Sequence, residues 1–204
     1  AKEIDEIIIA TSNEKNDEEI VEFCKSNQIP YTCGSLNDVL DRYYQAAKMT
    51  KARIIVRLTG DCPIIDPNVV DSVVSAYKNN NYDFVANTAP PEGVTYPEGM
   101  DVEVFSMQAL ERAHNEAKKP SDREHVTFYF WKNIEKFKCF RADLNYNLSS
   151  YRLTLDYKED FVVIRKIIEA LYSKHKIFSM REILKFLDQN PEIHEINSNI
   201  ESFS

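Results

Sequence analysis

Arg53-Ile54-Ile55-Val56-Arg57-Leu58-Thr59-Gly60-Asp61-Cys62-Pro63, with the Asp66-Pro67 pair that follows it, is the stretch that decides the fold. Arg53–Leu58 is short, mainly apolar and rich in β-branched residues, which reads as a strand covered by packing. It stops at Gly60-Asp61, where glycine permits a positive φ and aspartate can bond within its own loop. Asp66 has the side chain of an N-cap, and Pro67 has the fixed φ of a first helical residue. Val69, Val70, Val73, Val74 and Tyr77 then recur at helical spacing. Strand, turn and helix in that order make one unit of an α/β sheet, whose ligands bind at the C-terminal ends of strands. Asp61 sits at such an end.

The flanking segments repeat the rhythm. Upstream, Asp5–Ala10 predicts a buried strand, 17–28 a helix carrying Ile20, Val21, Phe23 and Cys24, and 37–49 a second helix. Downstream, Asn79-Asn80-Asn81 ends the helix and Asp83–Asn87 resumes as a strand. Residues 88–99, with Pro90, Pro91, Gly93, Pro97 and Gly99, read as a long loop, a feature usually functional or disordered in a compact domain. Asp101–Phe105 predicts a strand with Asp101 and Glu103 on one face. Residues 137–142 and 151–156 predict strands, and 158–173 a long amphipathic helix. Ser121-Asp122-Arg123-Glu124 and Ser179-Met180-Arg181-Glu182 have the spacing of capping boxes. The expected architecture is a Rossmann-like, three-layer α/β/α domain with a mainly parallel sheet over 1–187, followed by a tail over 188–204.

Composition excludes several classes. With 204 residues, 43% of them hydrophobic, the chain can bury one sizeable core. No apolar run approaches a membrane span and no signal peptide is visible, so a cytoplasmic protein is expected. The net charge of −8 argues against a nucleic-acid surface, which needs a basic stripe. It leaves room for a nucleotide held through a metal ion. Cys24, Cys33, Cys62 and Cys139 contain no Cys-x-x-Cys pair and read as reduced thiols; Cys62 reads as a packing residue despite its place beside Asp61. Neither standard glycine-rich phosphate loop is present.

A second aspartate ends a strand-like segment, Arg152-Leu153-Thr154-Leu155-Asp156. Two carboxylates at strand ends can share a divalent cation that in turn holds phosphates. Each has a plainer reading: Asp61 as a turn former, Asp156 as an N-cap for the helix after it. Arg57, among apolar neighbours, suits a structural ion pair or a phosphate contact. Asp41 and Arg42 suit either a solvated helix face or a ligand.

Four strings occur together and in order: Asp38-Val39-Leu40-Asp41-Arg42-Tyr43-Tyr44, Arg57-Leu58-Thr59-Gly60-Asp61-Cys62-Pro63, Gly99-Met100-Asp101-Val102-Glu103-Val104-Phe105 and Pro120-Ser121-Asp122-Arg123-Glu124-His125-Val126-Thr127. Singly they are weak; in this order they resemble the spore-coat polysaccharide F branch of the cytidylyltransferases that make CMP-activated acidic sugars. The wider family includes the CMP-KDO and CMP-sialic acid synthetases. The resemblance implies a reaction between CTP and a sugar hydroxyl that releases pyrophosphate and needs Mg²⁺. It also implies a first central strand and a phosphate-wrapping loop that would precede this chain's first residue, so the sheet is expected to lack that strand.

Carried over onto matching positions, the resemblance implies Asp61 and Asp156 as metal ligands, and Asp61, Arg57 and His125 as catalytic. Thr11, Ser12, Asp41, Arg42 and Gly60 would meet the nucleotide. Asp101, Glu103, Arg123 and Glu124 would meet the acceptor. Glu124 also has a purely helix-capping reading, and His125 reads equally as a satisfied histidine at a helix start. His114, His175 and His194 read as surface or packing residues, and Tyr31, Tyr96, Tyr146 and Tyr151 as core or surface residues or the rim of a pocket. The apolar tail residues Ile193, Ile196, Ile200 and Phe203 suggest docking onto the domain or a partner, compatible with a homodimer. Two other functions fit the same residues: a metal-dependent glycosyltransferase, for which Asp101-Val102-Glu103 is a loose Asp-x-Asp mimic, and a non-catalytic module that kept the fold.

Overall fold

The computed structural model describes residues 1–173 and 176–200. Among them, β1 (Ile9–Ser12) and β2 (Tyr31–Gly34) form a parallel pair, with Ile9 opposite Tyr31 and Ser12 opposite Gly34. A second sheet contains β3 (Ile54–Arg57), β4 (Phe84–Ala86), β5 (Glu103–Ser106) and β6 (Cys139–Arg141) in the order β3-β5-β4-β6. β5 is antiparallel to both neighbours, whereas β4 and β6 are parallel. Thus β3, β4 and β6 share one direction and β5 opposes it.

Side chains alternate between the faces of a strand, and here the alternation sorts them into two cores. Val85 and Val104 point into one; Phe84, Ala86 and Phe105 point into the other. The first is covered by α3 (Pro67–Lys78), α7 (Lys158–Leu171) and α8 (Met180–Gln189) through Val70, Val73, Ile164, Ile167, Ile183 and Leu187. The second is covered by α2 (Val39–Thr50), α4 (Met107–Glu116) and α6 (Phe128–Trp131) through Leu40, Ala47, Leu110, Ala113 and Phe130. Phe130 stacks 5.3 Å from Phe84 and lies 5.1 Å from Phe105. Helices on both faces complete the three-layer α/β/α arrangement.

Helix starts follow local chemistry. Asp66 accepts the Asn68 amide at 2.8 Å with Pro67 in the first turn, as the sequence predicts. Asp66 Oδ2 also accepts the Met180 amide at 2.7 Å, which ties the start of α3 to the start of α8. The Ser179–Glu182 capping box forms, with the Ser179 amide 2.8 Å from Glu182 Oε2. The Ser121–Glu124 box does not. Pro120 sets the start of α5 (Pro120–Glu124) one residue earlier, after Lys119, and no side chain caps that helix.

Other expectations shift. The first strand lies at Ile9–Ser12, not 5–10, because its ladder begins where the Ile9 amide meets the Pro30 carbonyl; Ile7 is left 68% exposed. α1 (Glu18–Ser26) buries Cys24 but leaves Phe23 61% exposed. Residues 151–156 form no strand, only a single bridge between Arg152 and Glu98. β2, α4 and α9 (Pro191–His194) have no counterpart in the sequence reading. The tail docks: Ile193 enters the first core, Ile196 packs beside it and Asn197 is buried. His175 and Phe203 lie outside the described residues.

The 88–99 loop is held at several points. Arg141 donates to the carbonyls of Pro90, Glu92 and Gly93 at 2.8, 2.6 and 3.1 Å. Its end is clamped where the Leu153 amide meets the Glu98 carbonyl at 2.7 Å. Gly99 makes this possible: its φ is +89°, and an added Cβ would overlap the backbone of Leu153 and Thr154. Gly99→Ala is therefore expected to destabilise the protein by at least about 1–3 kcal/mol from backbone strain alone. Urea denaturation measures this; a wild-type midpoint would mean the clamp is dispensable.

Candidate active site

Three aspartates meet where β3 ends. Asp61 is exposed on the loop after Arg57, and its carbonyl accepts the Leu155 amide at 2.9 Å and the Thr154 hydroxyl at 3.2 Å. The same hydroxyl lies 3.4 Å from Asp156 Oδ2, so Thr154 links the Asp61 backbone to the Asp156 carboxylate. Asp101 enters from the other side. Its Oδ2 accepts the Gly99 amide at 2.9 Å and lies 3.6 Å from Cys62 Sγ, which is itself 3.5 Å from Asp61 Oδ1. Cys62 thus sits between two carboxylates. Burial, then the Asp101 charge, pushes its thiol well above the usual range, and burial likewise raises the Asp101 carboxyl.

Asp156 does not cap the following helix. Tyr157 is the N-cap of α7, and its amide is accepted by Asp160 at 3.0 Å. Asp156 is instead ion-paired to Arg152 at 2.8 Å. Gly60, where glycine permits a positive φ, does not use it, and a Cβ there would meet nothing within 4 Å. Its surroundings are open.

Arg57, half-buried, forms an ion pair with the buried Glu103, whose other oxygen accepts the Thr127 hydroxyl at 2.6 Å. Burial works against the Arg57 cation, but the charge and hydrogen bond of Glu103, with smaller help from Tyr43 and Asp61, together hold the guanidinium above its ordinary pKa. The ring of Tyr43 lies 5.7 Å from that guanidinium, and its hydroxyl reaches the Leu58 carbonyl at 3.2 Å. Thr127 is placed by Val126, a buried β-branched residue in the left-handed region at φ 53°. Such a residue is a genuine backbone outlier.

The remaining predicted residues fall into two other groups. Thr11, Ser12 and Arg42 gather at the end of β1. Both hydroxyls reach Asp17 Oδ2, and Arg42 reaches the Ala10 carbonyl at 3.3 Å. Asp41 and Arg123 lie in a clamp among α2, α4 and α5. Asp41 meets His114 at 2.8 Å, while Arg123 binds Asp38 and the carbonyls of His114 and Ala117. Glu124 is exposed, and His125 stacks on Phe128 at 4.3 Å. Sequence reasoning missed Thr154, Asp160 and Asn197. The signal for Asp160 was its acid at the third position of a helix behind a basic residue in an apolar run.

Residues 1–193 match the cytidylyltransferase family. The chain belongs to that family. It is 38% identical to the uncharacterized protein MJ1063 of Methanocaldococcus jannaschii, over 98% of this chain and 80% of that protein. It is 30% identical to the spore coat polysaccharide biosynthesis protein SpsF of Bacillus subtilis, over 94% of this chain and 78% of that one. A solved cytidylyltransferase from Leptospira borgpetersenii superposes with a TM-score of 0.85 at 34% identity, covering 97% of this chain and 80% of that one. The protein is therefore a nucleotidyltransferase. Among the described residues, no helix of this cytidylyltransferase is long and apolar enough to cross a membrane.

Two predictions follow from the local chemistry. Glu103→Leu strands the Arg57 cation and should cost about 3–5 kcal/mol, whereas Arg57→Met in the same chain should recover most of that loss. Equal urea midpoints for the single and double variants would show that the pair is not coupled. Iodoacetamide at pH 8 should label exposed Cys33 in the native protein and Cys62 only after unfolding. Rapid native labelling of Cys62, read by peptide mass spectrometry, would contradict its packing role.

Proposed function

We propose that this cytidylyltransferase transfers CMP from CTP to the hydroxyl of an acidic sugar, releases pyrophosphate, uses Mg²⁺ and serves polysaccharide synthesis in the cytoplasm. The observation that carries the reading is the junction of Asp61 and Asp156 through Thr154, with Asp101 across Cys62. SpsF, by its name a polysaccharide biosynthesis protein, supports the pathway class.

The residues fit the metal. Magnesium is commonly held by one or two carboxylates with substrate phosphates and water completing the shell, not by a dedicated protein cage. Among the described residues no group of three or more His, Cys, Asp or Glu forms such a cage. The exposed carboxylates of Asp61 and Asp156 are hard oxygen donors of the right kind. When bound, the ion supplies neutralisation of phosphate charge and a lower pKa for the attacking hydroxyl.

The chain's own groups then align the reactants. In-line attack by the sugar hydroxyl on the α-phosphorus forms one P–O bond as the bond to pyrophosphate breaks, so the protein's contribution is orientation and charge placement. Asp101, half-buried beside Cys62, faces the acceptor's hydroxyls as a hydrogen-bond acceptor. Gly60, with open space around its Cα, admits the nucleotide close to the backbone. Arg57 remains in its pair with Glu103 and stiffens the floor of the site.

Calorimetric titration with CTP, UTP, ATP and GTP, each with and without Mg²⁺, tests the reading. CTP-selective, Mg²⁺-dependent binding is expected. Asp61→Ala should weaken it at least about tenfold, the loss expected when a contact to a charged group is removed. Equal binding of all four nucleotides, or Mg²⁺-dependent CTP binding unchanged in Asp61→Ala, would sink it. Pyrophosphate release on adding acidic sugars, and none with neutral ones, tests the acceptor class.

A further inference from the structure

Arg152 is only 4% exposed, yet it holds three carboxylates. Its Nε and Nη2 grip the two oxygens of Asp160 at 2.9 Å each, in the planar fork that guanidinium and carboxylate share. Nη1 meets Glu98 Oε2 at 2.7 Å, and Nη2 also meets Asp156 Oδ2 at 2.8 Å. Asp160, fully buried, accepts the backbone amides of Asp156 and Tyr157 at 3.0 Å and the Asn197 side-chain amide at 2.9 Å. Asn197 also donates to the Arg152 carbonyl at 3.1 Å.

Asp156 is therefore fixed twice. Asp160 fixes its backbone; Arg152 and Thr154 engage one carboxylate oxygen, Oδ2. Among the described residues, Oδ1 accepts no hydrogen bond. A buried cluster of this kind is a weak source of stability, since desolvating the charges offsets most of their attraction. One guanidinium against three carboxylates also leaves an excess of negative charge beside Asp61. Neither fact is useful to a scaffold, and both suit a site that takes a cation.

We propose that Arg152 is a positioning residue: it holds Asp156 by Oδ2 so that Oδ1 is the oxygen presented to the metal. Asp160 and Asn197 in turn hold Arg152. This rests on the Mg²⁺ reading of the site. Lysine cannot reproduce the fork, which engages Asp160 and Asp156 at once, so Arg152→Lys keeps the charge and loses the geometry.

The test measures Mn²⁺ affinity by electron paramagnetic resonance, with CTP present, for wild type, Arg152→Lys, Asp156→Asn and the double variant. Far-ultraviolet circular dichroism and urea midpoints monitor the fold. Partners that orient a metal ligand typically contribute 10- to 100-fold in affinity, so a folded Arg152→Lys should bind about 10- to 100-fold more weakly. Its CTP affinity without metal should be unchanged, and in the Asp156→Asn background it should have no further effect. If Arg152→Lys does not fold, Asn197→Ala replaces it; this variant loosens Asp160 without removing a charge, and a several-fold loss is expected. Wild-type Mn²⁺ affinity in the folded variant overturns the positioning role alone. No Mn²⁺ binding by the wild-type protein with CTP overturns the metal reading, and the positioning role with it.

Discussion

The Asp61 carbonyl accepts two hydrogen bonds from segment 154–155, across 93 residues of sequence for the Thr154 hydroxyl, and the site depends on this junction. A carbonyl that the fold turns inward needs a partner, and here the partner is extended chain that forms no strand of its own. That chain is also bonded to the Glu98 carbonyl and met by Gly99, whose backbone approaches it too closely for any side chain. Three loops therefore share one contact region: 58–63, 97–101 and 152–156. Each brings one aspartate. The three aspartates share this region because hydrogen bonds between backbones bring their loops together.

Electrostatics gives this convergence a direction. Asp61, Asp101 and Asp156 lie close together in a chain of net charge −8. The nearby arginines are already engaged: Arg57 by Glu103, and Arg152 by Glu98, Asp156 and Asp160. A triphosphate brought here meets negative potential unless a cation intervenes. Arg42 differs from these in having no ion pair among the described residues. It bonds to the Ala10 carbonyl, and its buried Nε, like that of Arg57, has no hydrogen-bond partner. Its position at the end of β1, beside Thr11 and Ser12, keeps that group a candidate second contact for the nucleotide.

Local signals were the most legible part of the sequence. Asp66-Pro67 and the Ser179–Glu182 box both start helices, because each cap is completed within a few residues of its own chain. The strand expected over Asp83–Asn87 forms as Phe84–Ala86, with all three residues buried. Failures arose where distant partners decide. The register of β1 is set by Tyr31–Gly34, which moved it along its apolar run; residues 151–156 look like a strand but find only loops to bond. Pro120 overrode the capping spacing that begins at Ser121. For the site, Asp61 and Asp156 were found by type and position. The Arg152–Asp160–Asn197 support was not, since a buried arginine is intelligible only after its three acids are known to surround it.

The opposite wall of the site obeys a different constraint. Val126 is held at φ 53° in the protein interior, where a β-branched residue is strained by about 1–3 kcal/mol. The strain is compensated in the surrounding structure. The turn delivers the Thr127 hydroxyl to Glu103, so both oxygens of the buried carboxylate that pairs with Arg57 are engaged. Phe130, two residues into the next helix, is locked between Phe84 and Phe105, so the turn cannot relax without opening the second core. Glu103 and Asp101 share a face of one short segment, yet the first is sealed and the second is half-exposed. The boundary between rigid floor and reactive mouth falls between these two acids, and Val126 helps to set where it falls.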